Sequence, residues 1–147
     1  MLADTNILLR LARKEFPEYA GIRGALQQLR REGTTLYYAP QNLVELWRVY
    51  TRPVEQNGFG LSIEAADQEA SLIEAQIQLI PDTAEVHRHW RRLVVEYRVA
   101  GRQVHDARLV AVMIANGISR LLTLNVADFQ RYANVIRAVH PHELAGS

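Results

Sequence analysis

The apolar positions of this chain fall into short clusters separated by longer amphipathic stretches. Met1-Leu2-Ala3 is apolar and stops at Asp4; it reads as the end of a strand, with a helix starting at Thr5 or Asn6. Pro17 suits the first turn of a helix, and the pattern predicts one over residues 17–32, closed by Gly33. Thr35-Leu36-Tyr37-Tyr38-Ala39 is β-branched and aromatic, as a strand requires. Pro40 opens a helix over residues 40–51, which Arg52-Pro53 stops because the residue before proline is pushed out of the helical region. Residues 54–61, with Gly58 and Gly60, form a loop. Ser62 can cap a helix to residue 76, and 78–80 is a short strand. Asp82 and Glu85 have capping-box spacing, which gives Asp82 an N-cap role in a helix over 82–99. A very apolar helix spans 105–116, with Gly117 just past its end. Residues 121–124 and 135–139 are strands with a helical turn over 127–132 between them. The expected organisation is a single domain over 1–140, with 141–147 as a flexible tail.

Strands and helices alternate throughout. That order predicts an α/β fold with a mainly parallel sheet and helices on both faces. In such folds ligands bind outside the carboxyl ends of the strands, so acidic residues just past strand ends become site candidates.

Composition narrows the chemistry. A chain of 147 residues, 48 % hydrophobic and 22 % charged, fits one ordinary globular core. No apolar run approaches the ~18–20 residues of a membrane span, and the start lacks the basic-then-apolar order of a signal peptide. The absence of cysteine excludes disulfides, thiolate nucleophiles and Cys-ligated zinc or iron–sulfur centres, and fits a cytoplasmic location. The net charge of +1 names no partner. Of the 17 basic residues, however, only Lys14 is lysine. Arginine's rigid fork of donors suits phosphate, although a GC-rich genome produces the same bias.

The chain has five aspartates: Asp4, Asp67, Asp82, Asp106 and Asp128. Asp67 lies on a solvated face with Glu64, Glu69 and Glu74. Asp4 directly follows the first strand, where it also reads as a helix cap. Asp106 sits in the first turn of the apolar helix, a position the helix dipole favours for a carboxylate. Asp128 follows a strand end closely, with Asn125 three residues before it; an Asx turn is the plain alternative. Glu45 belongs to a helix whose polar positions Gln41, Glu45, Arg48 and Arg52 form one narrow stripe, more suited to a cleft wall than to open surface. Four carboxylates converging at one sheet edge repel one another unless a cation lies between them. Oxygen-only ligands select hard ions such as Mg²⁺ or Mn²⁺, and such sites support attack of metal-activated water on a phosphodiester.

These residues resemble the PIN-domain nucleases, and within them the VapC-type toxins of bacterial toxin–antitoxin pairs. The resemblance rests on Asp4-Thr5-Asn6, on Pro40-Gln-Asn-Leu-Val-Glu45, on His105-Asp106-Ala107, and on Leu122-Thr123-Leu124-Asn125-Val126-Ala127-Asp128-Phe129, in that order. It implies a three-layer α/β/α fold and a Mg²⁺- or Mn²⁺-dependent endoribonuclease. It further implies Asp4, Glu45, Asp106 and Asp128 as the metal-binding and catalytic constellation, with Thr5 and Asn125 lining the site. RNA, a second copy of the chain and a small antitoxin are the implied partners. Arg10, Arg48 and Arg52 are candidates for gripping the RNA backbone. His105 faces away from its neighbour Asp106 on a helix and is not expected to be a ligand.

Three rivals stand beside this expectation. One is a non-catalytic PIN-type module that binds RNA or protein, which four filled acidic positions argue against. Another is a metal-dependent phosphohydrolase of small esters, for which the chain offers no Gly-rich phosphate loop. The third is a receiver-like phospho-acceptor, which lacks a lysine near the last strand.

Overall fold

The computed structural model describes residues 1–145. Five short strands, β1 (Leu2–Ala3), β2 (Tyr37–Tyr38), β3 (Gln78–Leu79), β4 (Arg120–Leu122) and β5 (Arg137–Val139), form one sheet in the order β3-β2-β1-β4-β5. Every pairing is parallel. The chain builds outward in one direction from β1 to β2 and β3, then returns to the other side of β1 for β4 and β5. The order of connection therefore reverses between β1 and β4, which opens a crevice at their carboxyl ends.

Around the sheet lie α1 (Thr5–Leu11), α2 (Tyr19–Arg31), α3 (Pro40–Thr51), α4 (Ile63–Gln76), α5 (Ala84–Glu96), α6 (Gln103–Ala115) and α7 (Pro141–Ala145). Side chains alternate across each strand, so the sheet has an apolar core on each face. Ala3 and Leu122 join Ile7, Leu26, Leu46 and Ile73 on one face; Leu2 and Leu121 join Val86, Leu93, Val110 and Met113 on the other. This is the three-layer α/β/α arrangement expected from the alternating elements. Helix α6, apolar almost all round, is accordingly buried over Leu109–Met113.

The boundaries of α3 match the residues that set them: Pro40 stands at its first position and Arg52, in extended conformation before Pro53, ends it. Two expectations are corrected. Thr83, not Asp82, is the N-cap residue of α5, which leaves the Asp82 carboxylate available elsewhere. Within the expected flexible tail, residues 141–145 form α7, which packs on α2; residues 146–147 lie outside the described residues. Pro141 pre-sets the first helical φ, Glu143 accepts a 2.9 Å hydrogen bond from the His140 amide, and Leu144 packs against the core.

Candidate active site

Asp4 ends β1 at the crevice. Its amide donates to the carbonyl of Leu122 at 2.9 Å, extending the β1–β4 pairing by one bond past the last strand residue. The side chain caps α1 by accepting from the Thr5 amide at 2.8 Å. Its other oxygen accepts from the Thr123 hydroxyl at 2.7 Å and from the Asn6 amide group at 3.3 Å. The Asp4 cap leaves its second oxygen to other partners. Asn6 also accepts from the Leu124 amide at 3.2 Å, so it ties the start of α1 to the turn after β4. Asp4 is only 8 % exposed.

Glu45 lies one turn into α3, the helix that follows β2. One of its oxygens accepts from the Thr5 hydroxyl at 2.6 Å and the other from the Gln41 side-chain amide at 2.9 Å. Gln41 also donates to the His105 carbonyl at 2.8 Å, which joins α3 to the first turn of α6 beside Asp106. Asp128 lies in a 3-10 helix over Val126–Tyr132, on the turn after β4, where it and Asn125 line an open cavity at the same edge. The four carboxylates come from four separate chain segments: the start of α1, α3, the first turn of α6 and the turn after β4.

Their charges act on one another. Burial raises the Asp4 pKa above the ordinary carboxylate value; hydrogen bonds from Thr123 and Thr5 oppose this, and the Glu45 and Asp128 charges reinforce it. Burial, then the charges of Asp4, Asp128 and Glu45, push Asp106 up to about 6, with Arg131 pulling the other way. Carboxylates partly removed from water and acting on one another are groups whose ionised form a divalent ion would favour. The donor set, all oxygen, fits a hard cation. Among the described residues no group of three or more His, Cys, Asp or Glu side chains is placed to hold a metal ion.

Beside Glu45 runs a cavity of about 620 Å³ whose lining includes Gln41, Glu45, Arg48, Arg52, Asp82 and Arg108. The narrow polar stripe of α3 is one wall of this cleft. Arg108, on α6, is not singled out by the sequence, because a lone arginine in an apolar helix gives no signal of direction. It pairs with Asp82 at 3.2 Å, the carboxylate freed from capping duty. Arg10 does not reach the cleft: its guanidinium bonds the Asn6 carbonyl at 3.3 Å, pairs with Glu18 at 3.5 Å and stacks over Phe16. His105 is exposed, and the structure gives its ring no contact with Asp106. Asn6, Asn42 and Thr123 stand in the sequence as parts of motifs without roles of their own. The signal available is that Asn42 is polar but off the α3 stripe.

A fold with this crevice and an acidic cluster at it defines a class. The family model described as PIN domain matches residues 1–135, and the chain belongs to that family. Solved structures agree on the fold. A chain of VapBC2 from Rickettsia felis, bound to a DNA fragment from its promoter, has TM-score 0.68 at 16 % identity, covering 95 % of this chain and 96 % of that one. A chain of VapBC-1 from nontypeable Haemophilus influenzae has TM-score 0.66, also at 16 % identity, with the same coverage of 95 % and 96 %. Mycobacterium tuberculosis VapC20, a toxin that cleaves the sarcin–ricin loop, has TM-score 0.62 at 17 % identity, covering 92 % and 95 %. Among curated proteins none is significantly similar in sequence. No helix among the described residues is long and apolar enough to cross a membrane.

Proposed function

We propose that this chain is a divalent-metal-dependent endoribonuclease acting in the cytoplasm as the toxin of a toxin–antitoxin pair. The single observation that carries the nuclease reading is that Asp4 and Glu45 are held by hydrogen bonds at the ends of β1 and β2, with the Asp4, Glu45 and Asp128 charges acting on Asp106. Membership of the PIN family and the likeness to VapC toxins support RNA as the substrate and an antitoxin as a partner.

In this reading Asp4 and Asp106 hold Mg²⁺ or Mn²⁺, and Glu45 and Asp128 complete the site directly or through water. When bound, the cation lowers the pKa of a coordinated water and stabilises charge on phosphate oxygens. The chain's own residues do the rest. Thr123 and Asn6 fix the Asp4 carboxylate, and Thr5 and Gln41 fix that of Glu45. Arg48 and Arg108, which both line the cleft, orient the RNA backbone through its phosphates. Asn125 lines the far side next to Asp128. A second copy of the chain is the other expected partner. An apolar groove of about 560 Å³ lined by Tyr38, Leu43, Val44, Trp47 and Leu79 supplies surface for either protein partner.

The test offers the protein an RNA oligonucleotide and a small phosphate ester, each with Mn²⁺. Cleavage of RNA that is lost in Asp4→Asn supports the proposal. Turnover of the ester alone would overturn it in favour of a small-molecule phosphohydrolase.

A further inference from the structure

Glu45 is the one member of the acidic cluster whose two oxygens are both taken by side-chain donors from within the site, and those donors lead back into the frame of the protein. Thr5 gives its only hydroxyl proton to Glu45, so the Thr5 oxygen must accept from something else to stay oriented. It does: the Asn42 side-chain amide donates to it at 3.0 Å. Asn42 is fully buried, and its carbonyl oxygen accepts at 2.8 Å from the amide of Ala39, itself fully buried just after β2. The result is one directed chain of hydrogen bonds. It runs from the Ala39 amide to Asn42, from Asn42 to Thr5, and from Thr5 to Glu45.

Each link has only one workable direction. The Ala39 amide can only donate, so the Asn42 oxygen must face it and its NH₂ must face Thr5. With its lone pair occupied by that NH₂, the Thr5 hydroxyl turns its proton to Glu45. The other Glu45 oxygen is held by Gln41, which is anchored in turn to the His105 carbonyl. The chain ties the ends of β1 and β2 to α3, while Gln41 ties α3 to α6.

We propose that Asn42, acting through Thr5, is a positioning residue that fixes the Glu45 carboxylate in its site-facing orientation, with Gln41 as the second anchor setting its distance from Asp106. This deepens the nuclease reading and rests on Glu45 belonging to the cation site. Asn42 never meets cation or RNA. Its effect is to remove the rotational freedom that Glu45 would otherwise lose on binding. Residues that orient a ligand in this manner commonly change metal affinity or activity by ~10–100-fold when altered.

Asn42→Asp is the informative variant. Its oxygen can still accept from Ala39, but the second oxygen has no proton to give Thr5. The Thr5 hydroxyl then donates to the introduced carboxylate instead, which breaks the link to Glu45. Mn²⁺ binding is measured by titration calorimetry on wild type, Asn42→Asp, Glu45→Gln and the double variant, with Tm confirming folding and RNA cleavage split into kcat and KM. We expect about 10-fold weaker Mn²⁺ binding in Asn42→Asp, a matching fall in kcat, and an unchanged KM. We expect the double variant to bind no more weakly than Glu45→Gln alone, because both changes act on one carboxylate. Wild-type binding in a folded Asn42→Asp, or multiplicative losses in the double variant, would overturn the proposal. If Asn42→Asp does not fold, Thr5→Val breaks the same link, and wild-type Mn²⁺ binding by that variant overturns it equally. If Glu45→Gln itself binds Mn²⁺ as wild type does, the assignment of Glu45 to the site fails, and the positioning role falls with it.

Discussion

The Thr123 hydroxyl donates a 2.7 Å hydrogen bond to Asp4, joining the residue after β4 to the residue after β1 across 119 positions of sequence. Thr123 is fully buried, and the bond reaches a carboxylate that is itself almost inaccessible. A hydrogen bond to a charged group of this kind contributes about 1.5–3 kcal/mol. Thr123→Val keeps the shape and removes the donor. We expect a loss of about 1–2 kcal/mol in urea unfolding at neutral pH, since Asn6 and the Thr5 amide still hold Asp4. A stability equal to wild type would show that the bond holds nothing.

The cluster should also make the metal-free protein respond to pH in an unusual direction. Asp106 has its folded pKa raised to about 6, above the value of about 3.9 for a free aspartate. Such a group is neutral and harmless below the unfolded pKa, and its cost to stability grows as pH rises through the folded pKa. Between about pH 4 and 6 it therefore opposes folding increasingly. Asp106→Asn should raise Tm at pH 7.5 in EDTA and leave Tm near pH 4 almost unchanged. The opposite order, with the larger effect at pH 4, would mean that Asp106 is neither held from water nor repelled by its neighbours.

The same repulsion ties cation binding to protons. A cation favours the ionised carboxylates, so it must displace the proton from Asp106 at low pH. Mn²⁺ affinity measured by calorimetry should fall as pH is lowered through about 6, with proton release detectable in buffers of different ionisation enthalpy. Affinity that stays flat between pH 5 and 7.5 would contradict a cation contact at Asp106.

The arginines divide by environment. Arg48 lines the cleft and is exposed, whereas Arg10 is engaged with Glu18 and Phe16. Arg48→Ala should weaken RNA binding several-fold and reduce the slope of log K against log salt by about 0.7, as loss of one phosphate contact on a single strand does. Arg10→Ala should lower Tm and leave that slope alone. A reversed pattern would relocate the RNA path.

Much of this is legible in the sequence. Asp4 and Asp128 stand out because each follows an apolar strand, and Glu45 because it shares a narrow polar stripe with Gln41, Arg48 and Arg52. The α3 limits are legible because proline acts locally at both ends. Long-range side-chain pairing is not. Thr123, Asn6 and Asn42 each have a partner 37 or more residues away, and no local pattern encodes such a partner. Asp82 misleads because capping-box spacing is also what an ion-pairing aspartate before a helix looks like. Helix α7 is hidden because five residues carry too little periodicity and the helix depends on α2 for its packing. Deleting residues 141–147 should accordingly lower Tm by several degrees, where a loose tail would leave it unchanged.

The most direct measurement is single-turnover cleavage of an end-labelled RNA oligonucleotide in Mn²⁺, with an EDTA control, by wild type and by the Asp4→Asn/Asp106→Asn double variant. Cleavage by wild type that EDTA abolishes, and a rate at least about 100-fold lower in the folded double variant, is the expected result. Cleavage that survives EDTA, or equal rates from the two proteins, would contradict a cation-dependent site built on these carboxylates.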